Sequence, residues 1–113
     1  MAHDPFNLHA LRMHAIETDP QGAIGPDTVF EFTQDGDHAE ARYAGGRVAS
    51  GYLVGTVTEN RFEFRYCQRH TDGELAGGHS ECTLRRDERG RVQIVEHFNW
   101  RDGQQGTNII AEI

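Results

Sequence analysis

The sequence predicts an all-β fold, an eight-stranded antiparallel up-and-down meander barrel, and three observations carry that reading. Turn-forming dipeptides recur along the chain at strand-plus-turn spacing. Between them, apolar residues alternate with polar ones at a period of two. The connections are too short for Greek-key crossovers, so each strand is expected to pair with the next. An open meander of this size would leave two unpaired edges and one apolar face uncovered, and closing the sheet on itself removes both.

The elements follow in order. Leu8 to Thr18 is read as the first strand because of its neighbours, although Leu8, Leu11 and Ala15 would also suit a helical turn. Asp19 to Pro26 carries two prolines and two glycines and is a loop. Strands are then expected near 27–34, 38–44, 47–58, 61–70, 74–86, 91–101 and 104–113. The turns between them are Asp35-Gly36, Gly45-Gly46, Glu59-Asn60, Asp72-Gly73, Asp87 to Gly90, and Asp102-Gly103, all rich in residues that tolerate positive φ. Phe30 and Phe32 alternate with Glu31 and Thr33; Phe62, Phe64 and Tyr66 alternate with Arg61, Glu63 and Arg65. Val92, Ile94, Glu96, Phe98 and Trp100 share one face, opposed by Gln93, Val95, His97 and Asn99. Gly51, Gly55, Gly77 and Gly78 interrupt strand interiors, where glycine marks a bend or a close approach.

Composition bounds the function. With 113 residues, the chain is expected to form one barrel domain over 1–113, and 36% hydrophobic residues suit strands that are apolar only at alternate positions. A formal charge of -7 argues against nucleic acid and against an anionic membrane surface. The basic residues are all arginines, interleaved with acids rather than massed. No stretch is long and apolar enough to span a membrane as a helix, and residues 1–11 do not read as a secretory signal. A cytoplasmic location follows as the expectation, with Cys67 and Cys82 as reduced thiols.

The alternation aims Glu96 into the barrel, and a buried carboxylate must be hydrogen-bonded, paired or protonated. Its candidate partners are Tyr43, Tyr66, Gln34 and Ser80, with Arg65 available if a bulge changes the register. Trp100, Phe98, Phe30, Phe32, Phe62, Phe64 and Tyr66 are expected to line the interior, either as a packed core or as the wall of a ligand pocket. The residues expected to contact a ligand are Glu96, Trp100, Phe98, Tyr66, Tyr43, Phe64, Gln34 and Ser80.

Cys67-x-x-His70 and His79-x-x-Cys82 form a symmetric Cys/His set of the kind zinc binds. Both pairs lie on predicted strands, where residues three apart point to opposite faces, so no metal is expected there and no cofactor elsewhere. His9, His38, His79 and His97 fall on outward positions. No nucleophile elbow, phosphate-cradling glycine loop or HExxH helix is present.

Several residues also carry a family resemblance over nearly the whole chain. They include Thr28-x-Phe30, Gln34, Tyr43-x-Gly45-Gly46, Gly51-x-Leu53, Arg65-Tyr66, Gly73-Glu74-Leu75 and Gly78. Gly90-Arg91, Glu96, Trp100, Asp102-Gly103, Gly106 and Glu112 extend it. In these the chain resembles a family of short bacterial proteins often labelled N-acetylglutamate synthase, with departures at Cys67 to His70 and at Ala76-Gly77. The resemblance implies a fold similar to the avidin and lipocalin-like (calycin-like) meander barrels. Acetyl transfer from acetyl-CoA would need a pyrophosphate-binding turn opening a helix, which this sequence does not offer, so the synthase activity is not expected.

The leading functional expectation is a barrel that binds a small, partly apolar molecule in its lumen without catalysis. One alternative is an enzyme using Glu96 as general acid or base. The other is an interaction module that forms a homodimer through outward residues such as Val57, Val95 and Ile109.

Overall fold

The computed structural model describes residues 6–18, 23–99 and 105–113. Among them are eight strands: β1 (Arg12–Glu17), β2 (Val29–Asp35), β3 (His38–Gly45), β4 (Val48–Thr58), β5 (Arg61–His70), β6 (Leu75–Arg86), β7 (Val92–Asn99) and β8 (Gln105–Glu112). Each pairs antiparallel with the next, and β8 returns to β1 through Met13↔Glu112, His14↔Ala111 and Ala15↔Ile110. The sheet is therefore a closed barrel, as the turn spacing predicts. The Asp102-Gly103 turn lies outside the described residues.

The turns use the residues that positive φ favours. Gly36, Gly46, Gly73 and Gly90 sit at φ of 63°, 64°, 89° and 79°, and Glu59 does the same at 55° without being glycine. Gly45 is constrained twice, because φ is 121° and a Cβ there would stand 1.9 Å from the Asp27 carbonyl oxygen. That close approach is held by Thr28, which is fully buried. Its hydroxyl donates to the Gly45 carbonyl at 2.9 Å and accepts from the Gly25 N–H at 3.0 Å. The β1–β2 loop is thereby tied to the β3–β4 turn at one end of the barrel.

The first strand begins later than expected. Residues 8–11 are not strand: Leu11 N–H bonds the Leu8 carbonyl at 3.1 Å and Ala10 adopts φ 64°, which turns the chain beneath the other end of the barrel. Ala10 donates to the Phe32 carbonyl, Phe32 donates to the Leu11 carbonyl, and the Leu8 side chain is wholly buried. The apolar spacing of Leu8 and Leu11 thus reports a plug, not a strand or a helical turn.

Inward residues above this plug are packed. Ring contacts run from Tyr43 to Phe30 (4.7 Å between centroids), Phe32 (6.2 Å), Phe62 (6.2 Å), Phe64 (5.2 Å) and Tyr66 (6.1 Å). Leu53, Leu84, Ile94, Ile110 and Met13 fill the space around them. Val57 corrects the outward assignment made from sequence: it lies opposite Phe62 and belongs to the core. On β4 the inward positions 51 and 55 are glycines, while outward Tyr52 and Val54 are as apolar as the inward residues, so the pattern does not reveal the face. Ile109 is half-buried, and Val95, outward by alternation, is 9% exposed.

Candidate functional site

Polar residues gather inside the barrel at the end opposite the plug. Tyr43 comes from β3, Tyr66 and Gln68 from β5, Ser80 from β6, Glu96 from β7 and Asn108 from β8. Glu96 is 5% exposed, and both its oxygens are engaged. The Ser80 hydroxyl donates to Oε2 at 2.5 Å and the Asn108 amide donates to Oε1 at 2.9 Å. Register explains the convergence, since Glu96 stands opposite Asn108 on β8, and Ser80 lies two residues from Cys82, which faces Glu96 on β6.

A second set of hydrogen bonds leads toward the rim. The Tyr43 hydroxyl donates to Gln68 Oε1 at 2.8 Å, and Gln68 Nε2 meets His70 Nε2 at 2.9 Å. An amide NH2 can only donate, so this contact makes Nε2 of His70 the acceptor. Tyr66 is different. Its ring is half-buried, and its hydroxyl makes no hydrogen bond among the described residues.

Two glycines position the phenols. A Cβ at Gly51 would lie 2.4 Å from the Tyr43 ring, and one at Gly78 would lie 3.0 Å from the Tyr66 hydroxyl. Each tyrosine therefore lies flat over a bare stretch of the neighbouring strand. Burial, then Tyr66, Glu96 and Cys67, push the Tyr43 phenol far above its ordinary value. Tyr66 is raised by burial and by Glu96. Burial, then Glu96 and Glu81, raise the Cys82 thiol likewise. At neutral pH all three groups keep their protons, so the phenols act here as hydrogen-bond donors.

Of the residues expected to contact a ligand, the structure brings Tyr43, Tyr66, Ser80 and Glu96 together. Phe64 lies below them in the run of rings. Gln34 is elsewhere, a correction to its expected pairing with Glu96. At the plugged end its Oε1 accepts from the Leu8 N–H and its Nε2 donates to the Gly36 carbonyl. Arg65 is exposed on the outer wall. Trp100 lies outside the described residues, as does the side chain of Phe98. Sequence reasoning missed Asn108, Gln68 and His70. Asn108 could have been found from its alternation with Ile110. Gln68 shares a face with Tyr66, but glutamine on a strand gives no sign of being buried.

The two Cys/His pairs do not converge, because Cys67 is exposed and Cys82 is buried on the other face. The barrel also bears a groove of about 400 Å³ on its outer wall, where Arg12, Glu31, Arg42 and Tyr52 lie beside Ala10 and Leu11. No helix among the described residues is long and apolar enough to cross a membrane.

A closed eight-stranded meander with a polar cluster at one end of an aromatic interior defines a class, the small antiparallel β-barrels. Within that class the chain matches the model of the family described as Avidin-like protein over residues 6–113, and it belongs to that family. No curated protein and no solved structure matches it.

Proposed function

We infer that this barrel binds a small, partly apolar molecule at the polar end of its lumen and performs no chemistry on it. The observation that carries the reading is the Tyr66 hydroxyl, a half-buried donor without a partner among the described residues, set beside the engaged Glu96. A donor kept protonated and left unpaired suits a ligand acceptor such as a carbonyl oxygen. The half-buried Tyr66 ring, packed edge-on to Phe64, offers apolar surface for the rest of the molecule. Glu96 spends both oxygens on Ser80 and Asn108, which makes it a brace for the polar wall rather than a base awaiting a substrate proton.

The test is a native mass spectrum of gently purified protein, compared with the Tyr66→Phe variant. A non-protein adduct that is lost on denaturation and depleted in Tyr66→Phe is the expected result. An adduct retained equally by the variant would remove Tyr66 from the site. A turnover activity abolished by Glu96→Gln in a folded protein would replace binding with catalysis.

A further inference from the structure

The outer wall holds a second cluster, unrelated to the lumen. Cross-strand charges there mostly complement one another: Arg12 faces Glu31, and Glu31 faces Arg42. One place breaks the rule. Glu63 on β5 stands directly opposite Glu81 on β6, the one carboxylate-on-carboxylate pair in the register of the described strands. Like charges directly opposite destabilise a sheet. Two imidazoles flank the pair. His79 Nε2 lies 2.8 Å from Glu63 Oε1, and His97 on β7 is in register with Glu81. One ligand atom each from Glu63, His79 and Glu81 lie within 4.8 Å of one another, all three side chains exposed.

We propose that Glu63, His79 and Glu81 form a surface site for a borderline divalent cation such as Zn2+, held across β5 and β6. One imidazole and two carboxylates are a donor set that zinc accepts, with water completing its coordination. The cation does what the protein's own side chains do elsewhere on the wall, placing positive charge between opposed strands. Arg61 and Arg65 lie one pair to either side of Glu63 on the same face, opposite Thr83 and His79, so neither stands in register with the two carboxylates. The donors rise from two adjacent, fully paired strands, so little ordering is needed to gather them. His79 thus belongs to a metal-binding set, but with Glu63 and Glu81 as companions in place of Cys82.

The test uses tag-free protein carrying Cys67→Ser, which removes the exposed thiol as a competing ligand. Zn2+ is titrated by calorimetry, and the melting temperature is followed with and without excess Zn2+. One-to-one binding is expected, with a zinc-dependent rise in melting temperature. His79→Ala, Glu63→Gln and Glu81→Gln should each weaken binding by about tenfold or more, since even outer-shell changes cost about 10–100-fold. They should abolish the thermal shift while the far-UV spectrum remains that of the parent. Without metal, Glu81→Gln should melt no lower than the parent, because it removes the opposed charge. Binding of equal strength in His79→Ala would place the ion elsewhere, and no zinc-dependent thermal shift in the parent would overturn the site.

Discussion

The two ends of the barrel interior are built from the same alternation yet carry different chemistry. At the plugged end Leu8, Phe32, Phe62, Leu84 and Ile94 are buried against one another, and the one polar side chain among them, Gln34, is spent on backbone groups. At the far end the inward positions are Tyr43, Tyr66, Gln68, Ser80, Glu96 and Asn108. The comparison teaches that apolar packing and side-chain hydrogen bonding are separated along the barrel axis. Apolar packing closes one end, and at the other Tyr43 joins the aromatic run to the hydrogen-bonding groups.

The strongest test of that separation is Phe62→Ala, which removes a ring 1% exposed in the middle of the aromatic run. It should cost about 3–5 kcal/mol in denaturant unfolding. A loss under about 1 kcal/mol would show that the plugged end is not the source of stability. Gly51→Ala is the next in size. Its methyl would collide with the Tyr43 ring, costing about 1–3 kcal/mol and disturbing the near-UV signal of the tyrosines.

Within the polar end, the two phenols should behave unequally. Tyr43→Phe leaves buried Gln68 Oε1 without its donor and should cost about 1–3 kcal/mol. Tyr66→Phe deletes a hydroxyl with no hydrogen-bond partner among the described residues and should fall within about 0.5 kcal/mol, while weakening ligand retention. Equal losses would erase the distinction between a structural and a recognition hydroxyl.

The pH dependence follows from the same groups. Cys82, Tyr43 and Tyr66 all bind their protons more tightly when folded than their ordinary values of 9.0 and 10.0. Above those values the unfolded chain releases protons that the folded chain retains. Stability is therefore intact below about pH 9 and declines as pH rises through the alkaline range. Denaturant melts from pH 8 to 11 should show the decline, shallower in Tyr43→Phe. The smallest effect is chemical: under native conditions a disulfide reagent should titrate Cys67 rapidly and leave Cys82 for the unfolded protein.

Much of this was legible in the chain. Seven strands begin and end close to where the turn dipeptides and the period-two pattern put them, because a closed meander imposes those rules locally. Glu96 was found because a charge in an otherwise apolar face stands out. Val57 and Gln34 were not, for opposite reasons. On β4 the face is masked by glycines, and Gln34 obeys the inward alternation but sits at the wrong height along the axis. Alternation gives the side of a strand, whereas height depends on register between strands far apart in sequence. The plug was missed because Ala10 takes a left-handed conformation that its identity does not announce.

The unevenness of the pairing has a consequence for how the barrel comes together. β4 and β5 share ten register partners across a tight turn, whereas β1 meets β2 at three positions and β8 at four. The hairpins can form early from neighbours in sequence, but the last stave must join Met13 to Glu112 across almost the entire chain. β1 is the seam, expected to be the final piece set and the first to part. Amide exchange should be fastest there, and any transient opening would bare the flank of β2 to the next molecule.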